Sequence, residues 1–348
     1  AATMLGQSKT VHQAEIDAAC ESVDFWRYNA FFADQLLRQQ PLNDQTAWNR
    51  FEFRPLEGFV FAVSPFNFTS IAANLPTAPM LMGNTVVFKP ATQTLLVSHF
   101  LLEILTEAGL PPGVINLVSG SASEISERVL HHPELAGIHF TGSTEVFQTM
   151  WKTVGDNIEH YRTYPRLVGE TGGKDFVVAH ESADPQALRT ALVRGAFEYQ
   201  GQKCSAASRA YIPQSMWKEM RSVMAEQVDA IPQGDPADFR NFMGAVIDGK
   251  AYSKHMAAID FARKSDTAKV VAGGKGDDSV GWFVRPTVIE TTDPDFRLLK
   301  EELFGPILTV YPYPDGKFEE ALDLCDRTSP YGLTGAIFAR DRKAIKTA

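Results

Sequence analysis

Phe59-Val60-Phe61-Ala62-Val63-Ser64-Pro65-Phe66-Asn67 carries five apolar residues straight into a serine and a proline. A run this short, rich in Val and Phe and closed by Pro, reads as a strand that ends in a turn. Similar runs return at 85–88, 114–118 and 138–141, separated by helical stretches such as 94–108 and 124–131. Strands alternating with helices imply βαβ crossovers, so the expected class is α/β with mostly parallel sheet.

Outward from that core the pattern changes twice. Upstream, Ile16, Cys20, Val23, Ala30 and Leu37 recur among polar residues, a period that predicts one long amphipathic helix over 13–40, ended by the polar stretch 41–49. Downstream, a second series of strands is expected at 176–179, 209–212 and 307–311, with helices near 185–199, 215–230 and 247–264. With 348 residues the chain exceeds what one hydrophobic core serves well. Two domains, 1–171 and 172–348, are expected to meet at Gly172-Gly173, where two glycines release the backbone. The chain starts without Met in a helix-like segment and stops mid-pattern at Ala348, so it reads as a fragment.

A formal net charge of −9 argues against an electrostatic nucleic-acid binder or a basic membrane-surface protein, and favours a small-molecule substrate. No apolar run is long enough to span a bilayer, and residues 1–12 do not form a signal peptide. Cys20, Cys204 and Cys325 are too few and too scattered for a disulfide framework or a CxxC metal site. One of them is left for chemistry.

Neither GxGxxG nor GxxxxGK[ST] occurs, so any nucleotide must be bound by another route than the common dinucleotide or phosphate loops. Phe140-Thr141-Gly142-Ser143-Thr144 lies between a strand and a helix; it suits donors to a pyrophosphate or a plain helix cap. Gly201-Gln202-Lys203-Cys204-Ser205 sets a thiol beside a lysine at the end of a helical run, which favours thiolate, although a lone Cys is also a common core residue. Glu170, expected on a glycine-flanked turn, is either a general base or a solvated carboxylate. Asn67, just after a strand, is either an oxyanion donor or a turn residue beside Pro65. Lys89 also ends a strand, where a lysine either meets a ribose or phosphate or simply faces water.

Together and in this order, Pro65-Phe66-Asn67, Lys89-Pro90-Ala91, Phe140-Thr141-Gly142-Ser143, Glu170 before Gly172-Gly173-Lys174, Gly201-Gln202-Lys203-Cys204 and Glu301-Glu302-Leu303-Phe304-Gly305-Pro306 resemble the aldehyde dehydrogenase superfamily. The resemblance runs from end to end of the chain. It implies two parallel-sheet domains, a variant dinucleotide-binding domain at 1–171 with part of an oligomerisation hairpin near 42–57, and a C-terminally incomplete catalytic domain at 172–348. It implies Cys204 as nucleophile, Glu170 as base and Asn67 as oxyanion donor. For an NAD cofactor it implies Ser64, Pro65, Phe66, Gly142 and Ser143, with Lys89 and Glu302 on the riboses and Phe304 beside the nicotinamide. No metal is expected.

Phe66 stands where many members have Trp, Phe147 where Gly usually ends the Gly-Ser segment, and Tyr199 where Asn commonly precedes the Gly-Gln pair. With the 64–69 segment and Gly281-Trp282-Phe283-Val284, these departures resemble the branch that oxidises glutamate γ-semialdehyde in proline degradation. In that branch Ser205 helps to hold the substrate carboxylate and Phe68 walls the aldehyde pocket, while Lys203 adds positive charge. Thr92 stands where many NAD-preferring members carry Glu. The resemblance also implies a homodimer or higher homo-oligomer of the full-length protein, in the mitochondrial matrix of a eukaryote or otherwise in the cytoplasm. The alternatives are another semialdehyde or general aldehyde dehydrogenase, or a relative that has lost turnover.

Overall fold

Phe59–Val63 forms the middle strand of a five-stranded sheet in the computed structural model, which describes residues 1–348. The strands are β1 (Phe59–Val63), β2 (Thr85–Lys89), β3 (Ile115–Leu117), β4 (Leu135–Thr141) and β5 (Arg166–Glu170), in the order β3-β2-β1-β4-β5 and all parallel. The unbroken apolar run at β1 has a direct cause, because both faces of the strand are covered. Val60 and Ala62 pack with Ala72, Leu75 and Leu101 on one side, and Phe61 packs with Ile138, Phe140 and Met150 on the other. This sheet belongs to a unit comprising Ala1–Gln7 and His12–Thr171.

The second unit comprises Gly172–Ala348 together with the short segment Ser8–Val11. Its six-stranded sheet contains β6 (Phe176–Ala179), β7 (Arg209–Pro213), β8 (Ala268–Ala272), β11 (Thr287–Thr291), β12 (Ile307–Tyr313) and β13 (Gly335–Phe338), ordered β13-β6-β7-β12-β11-β8. Only β8, at one edge, runs antiparallel. A two-stranded ribbon, β9 (Gly276–Asp277) with β10 (Phe283–Val284), completes the strands. The helix Pro185–Phe197 begins where Asp184 accepts from the Gln186 and Ala187 amides and proline occupies the first turn. No helix is long and apolar enough to cross a membrane.

Two expectations need correction. The single helix predicted over 13–40 is interrupted by a π-helical stretch, Glu15–Glu21, before the α-helix Ser22–Arg38. Ile16, Cys20, Val23, Ala30 and Leu37 stay exposed, and the inward face is instead polar. Asp17 is buried and accepts from the Thr69 and Ser70 amides at 2.8 Å each, capping the helix Thr69–Leu81, while Trp26 donates to Thr77 and Asn29 to Asn74. Val23, Ala30 and Leu37 share one face of the unbroken α-helix Ser22–Arg38, and that apolar face is turned outward while the helix meets Thr69–Leu81 through polar side chains. Residues 42–57 contain no strand. Side-chain amides do the cross-linking there: Gln40 exchanges bonds with the Phe51 backbone, and Asn43 accepts from Asn49 N.

Candidate active site

In the first unit, the site residues expected from sequence collect at one edge. Strand order reverses direction at β1, between β2 on one side and β4 on the other, and ligands of open parallel sheets bind beyond the carboxyl ends of the strands at such a point. Ser64, Pro65, Phe66 and Asn67 follow β1, Lys89 closes β2, Gly142 and Ser143 follow β4, and Glu170 closes β5. Register holds them level, with Val63 opposite both Lys89 and Phe140, and Thr141 opposite Glu170.

The surroundings of these residues differ. Lys89 is buried rather than a surface lysine; its ammonium donates to Pro90 O at 3.1 Å, and burial lowers its pKa. Asn67 is buried in the junction between β1 and the helix Thr69–Leu81. Phe66 and Phe68 beside it are half-buried. Ser143 does cap a helix, its hydroxyl accepting from Val146 N at 3.3 Å, and it stays exposed. Glu170 ends a strand rather than sitting on a turn; its carbonyl accepts from Gly142 N at 3.2 Å and the residue is exposed. Phe147, the aromatic at the position usually given to Gly, stacks on Phe140 at 5.3 Å and 8°.

In the second unit, Cys204 lies in a turn between the helix Pro185–Phe197 and β7, where Ala206 N donates to Lys203 O. The helix stops at Phe197, and then Tyr199, Gln200 and Gly201 take left-handed backbone angles in succession, φ 52°, 56° and 64°. Residues with a Cβ rarely adopt this region, and surrounding contacts must hold them there. Gln200 is fully buried and satisfied on three bonds: its amide donates to Ser8 O and Ala245 O and accepts from Gly244 N. Gln202 accepts from Ile247 N at 2.9 Å. At Gly201 a Cβ would collide with Gly305 O, so only glycine fits.

Cys204 is half-exposed, whereas Cys325 is buried with its pKa pushed up to about 11 by burial, and Cys20 is exposed in the other unit. A narrow cleft joins Cys204 and Lys203 to Gly173, Glu302, Phe304 and Gly305. Glu302 accepts from Gly173 N at 3.0 Å, and burial raises its pKa while that amide opposes the rise. Two neighbours on the helix Gly249–Arg263 brace the segment: Lys254 donates to Glu302 O at 2.8 Å and His255 to Leu303 O at 3.1 Å. Burial brings the His255 pKa down to about 4, so its ring is neutral and Nε2 carries the proton. Phe304 is thereby held with a left-handed φ of 57°.

Lys203 does not stand as an unbalanced positive charge, since its ammonium is 3.8 Å from the Glu198 carboxylate. Ser205 is exposed on the turn. Three residues at or next to this cleft were given no part in the site by the sequence reading. Gly173 leaves no room for a side chain, a Cβ there falling 2.5 Å from Cys204 O. Lys174 is fully buried with no hydrogen-bond partner for Nζ, and its pKa drops to about 7 through burial, then through Arg209. Asp175 accepts from Thr334 N, and burial raises its pKa to about 6. Only the Gly-Gly-Lys spelling flagged this region; nothing local marks Gln200 or His255.

The aldehyde dehydrogenase family model matches residues 1–348. The chain belongs to the aldehyde dehydrogenase family. Among curated relatives of this aldehyde dehydrogenase is the mitochondrial delta-1-pyrroline-5-carboxylate dehydrogenase of Dictyostelium discoideum, 50% identical over 100% of the chain and 63% of that protein. The human mitochondrial protein of the same name is 48% identical over 100% of the chain and 62% of its own length. A crystal structure of the Mycobacterium tuberculosis delta-pyrroline-5-carboxylate dehydrogenase bound with NAD superposes with a TM-score of 0.96 at 55% identity, covering 100% of the chain and 64% of that protein. The chain therefore spans under two thirds of the length of these relatives.

Proposed function

We propose that the full-length protein oxidises L-glutamate γ-semialdehyde, the open form of Δ1-pyrroline-5-carboxylate, to L-glutamate in proline degradation, with NAD as hydride acceptor. The observation that carries this reading is similarity along the whole chain, at 48–55% identity, to proteins named for that reaction. The residues fit the cofactor. Ser64 presents a buried hydroxyl with no hydrogen-bond partner at the switch point of the first sheet, and Lys89 lies beside it with Ser64 N on its carbonyl. Ser64, Pro65, Phe66, Lys89, Gly142 and Ser143 would hold the dinucleotide in the first unit, and Glu302 and Phe304 in the second. Residues 1–171, apart from Ser8–Val11, would accordingly be the cofactor domain, and 172–348 with that segment part of the catalytic domain.

In the proposed reaction the Cys204 thiolate adds to the aldehyde carbon, and the carbonyl π electrons move onto oxygen. Asn67 and the Cys204 backbone amide donate to that oxyanion. Bound NAD supplies a two-electron acceptor for the hydride that leaves the same carbon. The thioester that remains on Cys204 is attacked by water from which Glu170 takes a proton; the C–S bond breaks, and glutamate and the thiolate are released. Phe68, Lys203 and Ser205 serve the substrate, with Lys203 acting as half of its pair with Glu198. We assign the protein to a homo-oligomer as well, in the mitochondrial matrix if its source is eukaryotic. Exposed Leu42, Trp48, Phe51 and Phe53 support an oligomer, which light scattering of the full-length protein would test.

The deciding experiment compares kcat/KM for glutamate γ-semialdehyde, succinate semialdehyde and butyraldehyde, each with NAD and NADP. The expected preference for the amino-acid aldehyde is at least about 10²-fold, because a site built for polar groups leaves them unpaired with analogues that lack them. Comparable values for all three would leave a general aldehyde dehydrogenase. NAD should exceed NADP, and equal values would mean that Thr92 relaxes the choice.

A further inference from the structure

The segment Ser8–Val11 belongs to the second unit although the chain on both sides of it belongs to the first. It lies against the left-handed tract that leads to Cys204. Ser8 itself has a left-handed φ of 55°. Its carbonyl accepts from Gln200 Nε2 at 3.0 Å and its hydroxyl from Ala245 N at 3.1 Å, and the other Gln200 bonds go to Ala245 O and Gly244 N. The Lys9 ammonium sits 4.5 Å from the centroid of the Tyr199 ring, with both residues shut away from water. Tyr199 is thus gripped on its ring by Lys9 while Gln200 is gripped on its amide by Ser8.

A buried cation is an expensive way to gain stability, since an apolar side chain of similar size does as well or better. A cation over an aromatic face is, however, directional, and it is strongest where water is excluded. The two non-glycine left-handed residues need external constraint to persist, and Cys204 follows them within a few positions of a chain that glycine alone can turn at Gly201. We propose that Ser8 and Lys9 form a strap of positioning residues that holds Tyr199 and Gln200, and through them sets the Cys204 turn for nucleophilic attack. This deepens the reading of Cys204 as the nucleophile and rests on it.

The test uses the full-length enzyme and follows iodoacetamide labelling of each cysteine by mass spectrometry, with kcat and NAD affinity measured in parallel. Lys9→Met and Tyr199→Leu are each expected to slow labelling of Cys204 by about tenfold, the scale of one desolvated cation–π contact. Their double variant should be no slower than either alone, since both remove the same contact. Lys9→Arg should restore the rate to within about twofold, because it keeps a cation over the ring. In the single variants kcat should fall while the NAD Kd holds, labelling of Cys20 should not change and Cys325 should stay protected. Unchanged Cys204 labelling, or additive losses in the double variant, would overturn the strap. If Cys325 becomes reactive in Lys9→Met, unfolding has intervened and Ser8→Gly decides: it removes one hydroxyl acceptor and relaxes φ, and a Cys204 rate equal to wild type overturns the proposal. Labelling needs no turnover, so an inactive wild type would refute the proposed reaction while this arm still judged the strap.

Discussion

The carboxyl edge of the five-stranded sheet and the Cys204 turn achieve order by opposite means. At the sheet edge every expected residue sits at the end of a regular strand, and no residue from Ser64 to Asn67 has a positive φ. Topology alone gathers them. At the Cys204 turn, Tyr199, Gln200 and Phe304 are all left-handed, and the polar atoms Lys174 Nζ, Asp175 Oδ2, Gln202 Nε2 and His255 Nδ1 are buried without hydrogen-bond partners. A ligand edge can be built from any parallel sheet, whereas a turn made of left-handed residues persists only where its surroundings over-determine it, and that strain costs stability.

Substitutions on the two sides should therefore fail differently. Cys204→Ala should remove NADH production by on the order of 10⁴-fold or more while the melting curve stays close to wild type, because the thiol makes the proposed covalent bond and few packing contacts. Residual turnover near the wild-type rate would remove Cys204 from the chemistry. Glu170→Gln should lower steady-state kcat by roughly 10²–10⁴-fold, yet leave a burst of about one NADH per site in stopped flow. Loss of the burst along with the steady state would move Glu170 to an earlier step. For Asn67→Ala a kcat loss of roughly 10²–10³-fold is expected, the usual result of deleting one oxyanion donor; a change confined to KM would make Asn67 a binding residue.

The smallest effect is one of stability. Burial depresses the Lys174 pKa from 10.5 to about 7, so between those values the unfolded chain holds a proton that the folded protein gives up. Stability must then rise with pH across that window, and at neutral pH the lysine is a burden on the fold. Lys174→Met should be more stable than wild type at pH 7 by roughly 1–4 kcal/mol, and the gap should close by about pH 10. Urea denaturation of both proteins across that range checks it, and a gap independent of pH would show that Lys174 finds a partner for its charge.

How legible this was in the sequence differs between the same two regions. Strands 59–63 and 176–179 fall on their predicted residues, because fully covered parallel strands are written as unbroken apolar runs. The helix Thr69–Leu81 escaped notice: Pro76 and Pro79 argue against a helix, and its cap comes from Asp17, 52 residues earlier for the Thr69 amide. Strands β8, β11 and β13 were also missed, being short runs with Lys, Glu or Gly among the apolar residues. Glu302 stands out only through a motif shared with the family, and for Cys204 and Glu170 the local chemistry leaves two readings open until those motifs are taken together. The groups that brace the Cys204 turn and the Glu302 segment, Gln200, Lys254 and His255, act through contacts distant in sequence and leave no local signal.

The Ser8 contacts bear on how the chain is assembled in time. Ser8 O meets Gln200 at a separation of 192 residues, and Ser8 Oγ meets the Ala245 amide at 237. Loop-closure entropy grows only logarithmically with length, so such long loops weigh little on equilibrium stability but heavily on speed. On the ribosome, a segment near the beginning of this sequence must wait, unpaired, until residue 245 has emerged before its last bond can close. The Ala245 amide should then be among the final positions to gain protection in a pulsed hydrogen-exchange refolding experiment, later than the strand amides of β1 and β2, and early protection there would contradict that order.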